Sequence, residues 1–163
     1  MSSPNVLVFA SGGGRSGKES AAQALLRRCR EHPIHERWWL TLVGDAQLRI
    51  EHALDLKKSD LAVFIADAAS LRDPYRFFPL PHESGHRITS SDSGVTPQDV
   101  LHTLSTLGRR DEIPQCYCLE LRQTGAESLS ADRVADVDSA FGFLLGLLNE
   151  PDAAVWNDQL SSR

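Results

Sequence analysis

Glu19 and Asp67 are the two side chains whose type and setting best suit joint chemistry. Glu19 closes a glycine-rich stretch, Gly12-Gly13-Gly14-Arg15-Ser16-Gly17-Lys18, and Asp67 closes the apolar run Leu61-Ala62-Val63-Phe64-Ile65-Ala66. Two carboxylates that meet in a crevice can hold a divalent cation, with a third ligand from a nearby loop. Each also has an ordinary structural role. A carboxylate at the start of a helix is favoured by the macrodipole, and an aspartate after a strand is a common cap or turn former.

The glycine stretch admits a second chemistry. A phosphate-binding loop needs Gly, four residues, then Gly-Lys-Ser/Thr. Gly12 and Gly17-Lys18 fit, but Glu19 stands where the magnesium-binding hydroxyl belongs. Ser20 comes one residue late, which turns it about 100° around a helix. A carboxylate at that place also repels phosphate oxygens, so nucleotide binding is the weaker alternative.

The elements that must position these residues are legible from the pattern. Val6 to Ala10 is a continuous apolar run of the kind found in strands buried on both faces of a parallel sheet. After the glycine turn, Ala21, Ala22, Leu25, Leu26 and Cys29 recur at helical spacing until Pro33. That helix carries Glu19 in its first turn. Trp38 to Val43 reads as a second strand, with the two tryptophans on opposite faces, and Leu48 to Leu56 as a helix ending at Lys57-Lys58. Leu61 to Ala66 is a third strand. Tyr75 to Leu80, flanked by Pro74, Pro79 and Pro81, fits a short edge strand. His82 to Gly94 is a polar loop. Thr96 and Pro97 open a helix whose apolar face holds Val100, Leu101, Leu104 and Leu107. Gln115 to Leu121 is the last strand. Ser130 caps a final helix with Val134, Val137, Phe141, Leu144, Leu145 and Leu148 on one face.

Alternation of strands and helices predicts an α/β fold: a mostly parallel, twisted sheet of about five strands with helices on both faces. One domain over residues 1–150 is expected, followed by a polar C-terminal tail over 151–163. In such sheets ligands bind beyond the carboxyl ends of the strands, which places Glu19 and Asp67 at one end.

Composition narrows the function classes. The chain has 163 residues, 41% hydrophobic and 24% charged, with a net charge of −5. Acidic and basic residues are mixed, and no basic stripe suggests nucleic-acid binding. No apolar run has the length of a membrane span or a signal peptide, so a cytoplasmic protein is expected. Cys29, Cys116 and Cys118 are too few for a disulfide framework, and they read as core thiols.

Taken together, these segments resemble the hydrogenase maturation endopeptidases over most of the chain, from about Val6 to Leu148. The opening strand and loop, Val6 to Glu19, are similar to the family's strand, Gly-Asn loop and acidic pair. Phe64-Ile65-Ala66-Asp67-Ala68 resembles its strand ending in Val-Asp-Ala. Gln47-Leu48-Arg49-Ile50-Glu51-His52-Ala53-Leu54-Asp55-Leu56 looks like a helix of one branch. Ser93-Gly94-Val95-Thr96-Pro97 resembles its His-x-Leu-Ser-Pro helix entry, and Glu127-Ser128-Leu129-Ser130 the entry to its last helix.

The resemblance implies a cytoplasmic enzyme that trims a C-terminal extension from the large-subunit precursor of a nickel–iron hydrogenase. Two carboxylates and a histidine would recognise nickel already placed in the substrate. The carboxylates carry over to Glu19 and Asp67. Where the histidine is expected stands Ser93, or Ser91, with Asp92 between them; Asp92, His82 or His86 are replacement ligands. Gly13 replaces the loop asparagine and Lys18 the first acid of the pair. Gly12 and Gly13 would contact the substrate. Apart from the resemblance, Arg72 lies close to Asp67 in sequence and either binds a carboxylate or the acidic tail of a substrate or is an ordinary surface residue. The alternative is a non-cleaving relative that binds a hydrogenase subunit or assembly factor.

Overall fold

The computed structural model describes residues 4–11, 20–45, 52–68, 71–80, 114–122 and 131–160. Five strands form one sheet: β1 (Val6–Ser11), β2 (Leu40–Asp45), β3 (Leu61–Ala68), β4 (Tyr75–Leu80) and β5 (Gln115–Arg122). Their spatial order is β2-β1-β3-β5-β4. Four of the five run parallel, and β4 alone pairs antiparallel, with β5. Pro79 fits there because an edge strand tolerates a missing N–H.

Four α-helices are described: α1 (Ala21–Glu31), α2 (Ala53–Lys57), α3 (Ala131–Asn149) and α4 (Ala153–Asn157). They cover both faces of the sheet, as the strand alternation dictates. Val6, Val8 and Ala10 of β1 and Val63 and Ile65 of β3 pack with Leu25, Leu26 and Cys29 of α1 and Ala140, Leu144 and Leu148 of α3. Leu7, Phe9, Ala62 and Phe64 point to the other face, where they meet Leu56 of α2 together with Phe78, Cys116 and Cys118. A mostly parallel α/β sheet is therefore present, and its buried strands are the apolar runs of the sequence.

Three details differ from the sequence reading. β2 begins at Leu40, because Arg37 to Leu40 closes a turn through a hydrogen bond from Leu40 N–H to the Arg37 carbonyl at 3.1 Å. Trp38 and Trp39 thus lie in that turn rather than on a strand. Trp38 is 74% exposed, while Trp39 packs against the core. The helix after β2 is described only over Ala53–Lys57, and the helix expected after Pro97 lies outside the described residues. The first helix starts at Ala21, with Ser20 as its N-cap, later than the first turn expected around Glu19.

The third difference is the C-terminal segment. After Pro151, Asp152 caps α4 by accepting from Ala154 N–H at 2.8 Å. Trp156 of that helix is fully buried. Its indole N–H donates to the carbonyls of Leu147 and Glu150, and its ring meets Tyr117 edge-on at 5.4 Å. The Tyr117 hydroxyl in turn donates to Asn157 Oδ1 at 2.8 Å. Residues 152–160 are accordingly part of the domain and not a loose tail. One large aromatic ring with a satisfied polar tip outweighs the polar composition around it.

At Gly44, β2 lies close against the side chains of α1. A Cβ there would stand 2.7 Å from Leu26 Cδ2, and Leu26 is fully buried. Gly44→Ala is expected to destabilise the fold by about 1–3 kcal/mol, the usual range for overpacking; a chemical-denaturation midpoint equal to wild type would contradict it.

Candidate functional site

The topology fixes where a site can form. β1 is followed in the chain by β2 on one side, while β3 lies on its other side. The chain therefore reverses direction across the sheet between β1 and β3, and in such sheets the crevice opens beyond the carboxyl ends of those two strands. β1 leads there into the glycine stretch, and β3 delivers Asp67.

Asp67 occupies the penultimate position of β3, in register with Leu121 of β5. Its Oδ1 accepts a hydrogen bond from the backbone N–H of Ala22 at 3.0 Å. The Ser20 hydroxyl accepts from Gln23 N–H at 3.1 Å. The first turn of α1 thus has two of its otherwise unpartnered amides satisfied, one by the local cap and one by an acid from a strand 45 residues away. The positive end of the helix dipole favours a negative charge at that place. Gln23 also donates from Nε2 to the carbonyl of Ala10 at 3.0 Å, tying the same turn to the end of β1. The Ser20 hydroxyl, the nearest hydroxyl to the phosphate-loop position, serves here as a helix cap.

Arg72 lies in the bend between β3 and β4, and its side chain is exposed. Its backbone carbonyl accepts from Arg122 Nη1 at 2.7 Å. Glu19 directly precedes the Ser20 cap in sequence and, like Gly12, Gly13, His82, His86, Asp92 and Ser93, lies outside the described residues. Of the candidate site residues, Asp67 and Arg72 are the two that are described, one near the carboxyl end of β3 and the other in the bend that follows it. Among the described residues no three His, Cys, Asp or Glu side chains gather in a way that could hold a metal ion. No described helix is long and apolar enough to cross a membrane.

Two charged residues at this end have no signal in the sequence. Asp136 of α3 is 3% exposed, and both its oxygens accept from Arg122, from Nε at 2.9 Å and from Nη2 at 2.7 Å. A bidentate pair of this kind is geometrically specific. Asp136 sits among Val134, Val137 and Ala140 in a helix, where periodicity alone gives an acid no reason to be buried. The other buried acid among the described residues, Glu120, pairs across β4 and β5 with Arg76 at 3.1 Å.

The cysteines take no part in this chemistry. All three are buried. Burial pushes the Cys29 thiol up from 9.0 to about 12 despite the nearby Arg28 charge, and pushes Cys116 up to about 12 as well. Cys118 is raised well above 9.0, by burial first and then by the Glu120 charge, against Arg76. Below about pH 9 the thiols are protonated in both the folded and the unfolded chain. As pH rises from about 9 towards about 12, the unfolded chain loses these protons first, so folding stability falls. The urea midpoint is expected to decline from pH 9 upward, and a variant with Cys29, Cys116 and Cys118 all replaced by alanine to show a flatter alkaline limb.

No sequence-family model matches the chain, and no curated protein sequence matches it. Solved structures do match its fold. The protein has the α/β fold of a hydrogenase maturation endopeptidase. The hydrogenase maturating endopeptidase HybD from E. coli aligns over 90% of this chain and 93% of its own, with a TM-score of 0.67 and 16% identity. The [NiFe] hydrogenase maturation protease HycI from Thermococcus kodakarensis KOD1 aligns over 90% and 94%, with a TM-score of 0.64 and 12% identity. An E. coli endopeptidase solved in solution aligns over 90% and 93%, with a TM-score of 0.60 and 15% identity. At such identities the likeness is one of fold.

Proposed function

We propose that the protein is an endopeptidase of hydrogenase maturation, removing a C-terminal extension from a nickel-loaded [NiFe] hydrogenase large-subunit precursor in the cytoplasm. The observation that carries this reading is the meeting of Asp67 with the first turn of α1 at the switch point of the sheet. The fold, shared over nine-tenths of the chain with structures described as such enzymes, supports it. In this reading Glu19, next in sequence to the Ser20 cap, joins Asp67 in contacting nickel held by the substrate. Asp92 or Ser93, or His86, completes the set. Gly12 and Gly13 offer backbone groups to the substrate, and Arg72 offers a cation to its tail. A metal ion beside the scissile peptide polarises the carbonyl and favours attack by water.

The test is incubation with a nickel-loaded large-subunit precursor followed by mass measurement. Shortening of the precursor from its C-terminus is the expected result, with nickel-free precursor left intact. A stable complex without shortening would favour the non-cleaving relative. Absence of both, with uptake of a magnesium nucleotide instead, would overturn the proposal in favour of a phosphate-binding loop.

A further inference from the structure

Arg122 is the last residue of β5, and three features of its surroundings concern the site. Its backbone N–H donates to the carbonyl of Pro74 at 3.0 Å, and its Nη1 donates to the carbonyl of Arg72 at 2.7 Å. One residue therefore grips the bend that follows β3 at two carbonyls. Its other guanidinium donors are held by both oxygens of Asp136, which is buried on α3. In the sheet register Arg122 is paired with Ala68, the residue after Asp67.

The geometry points to Arg122, oriented by Asp136, as a positioning residue: it fixes the bend over 71–74 relative to Asp67, and thereby the Arg72 cation that meets the substrate's tail. The inference rests on the proposed function for its substrate. A planar guanidinium suits this task because its fork can hold a carboxylate with one edge and a carbonyl with another. A lysine in its place keeps the charge but has no such fork. Asp136 contributes by removing the rotational freedom of that guanidinium, since both its oxygens are engaged and water is excluded from it.

Two measurements decide the matter on Arg122→Lys, Asp136→Asn and Arg72→Ala. Hydrogen exchange at the amide of position 122, which donates to the Pro74 carbonyl, is expected to speed up in Arg122→Lys and Asp136→Asn, while amides of β1 and β3 keep wild-type protection. With the nickel-loaded precursor, Arg72→Ala is expected to raise KM about tenfold, the worth of one hydrogen bond to a charged group, with kcat within about twofold. Arg122→Lys is expected to raise KM similarly, and the double variant to be no worse than either single one. Unchanged exchange at that amide, or KM effects that multiply in the double variant, would overturn the inference while leaving the endopeptidase reading intact. A wild-type protein that neither binds nor shortens the precursor overturns the functional reading, and with it the role of Arg72 on a tail. Faster exchange at the position-122 amide would then still support the grip of Arg122 on the bend.

Discussion

Asp67→Asn is expected to leave the protein folded and to reduce precursor processing by about 100-fold or more. The two halves of this result have separate causes. Asp67 Oδ1 accepts from Ala22 N–H, and an asparagine oxygen can accept the same bond with the same volume. Stability should therefore change by well under the ~1 kcal/mol that loss of a helix cap costs. The charge, however, is gone, and a neutral amide is a far poorer partner for a cation in the substrate. Outer partners of metal ligands already cost about 10–100-fold when removed, so a direct contact should cost at least as much. Asp67→Ala adds the structural loss: the Ala22 amide loses its acceptor, and the thermal midpoint should fall by a few degrees, on the order of what ~1 kcal/mol gives in a domain of this size. Processing by Asp67→Asn at the wild-type rate would remove Asp67 from the chemistry, leaving it as a cap for α1.

Trp156→Ala is the substitution expected to harm the fold most. The ring is fully buried against Tyr117, and its N–H is shared between two carbonyls near the end of α3. Truncation removes the buried ring and leaves a cavity, which costs about 3–5 kcal/mol for a tryptophan. The Leu147 and Glu150 carbonyls each keep a backbone donor, Glu150 N–H and Asp152 N–H, so the lost ring carries most of the effect. A drop in the thermal midpoint on the order of 10 °C is expected. Trp156→Phe, which keeps most of the ring and loses the donor, should fall between this variant and wild type. A chain ending at Glu150 should behave like Trp156→Ala, and one as stable as the full chain would contradict the docking of α4.

The contrast between what periodicity reveals and what it hides is clear in particular residues. β1 and β3 are legible because both faces of each are covered, so every side chain in the run is apolar. The edge position of β4 is legible because its prolines leave few alternatives. The start of α1 falls just after Glu19 rather than before it, because glycine and charge patterns do not mark a cap as sharply as the Ser20 hydroxyl does. Trp38-Trp39 imitates a strand because aromatic residues favour strands in general, whereas the turn closed on Arg37 decides locally. α4 leaves a faint mark, an aspartate after Pro151 followed by Ala153-Ala154-Val155, which is an N-cap before a short helical run. Its burial depends on Tyr117, which is distant in sequence. The pairing of Arg122 with Asp136 is of the same kind: a long-range contact with no local trace. Asp67 alone among the candidate ligands combines a sequence signal, the abrupt end of an apolar run, with a described position.

The antiparallel direction of β4 sets a length requirement on whatever assists Asp67 from later in the chain. Leu80, the last residue of β4, pairs with Cys116, whereas Asp67 pairs with Leu121. β4 thus ends about five residue rises, ~17 Å, below the level of Asp67. Extended chain covers at most ~3.6 Å per residue, so the return journey consumes about five residues before any side chain is offered. Two residues, as separate Leu80 from His82, are too short a tether for that climb, whereas the stretch leading to Asp92 or Ser93 has slack to spare.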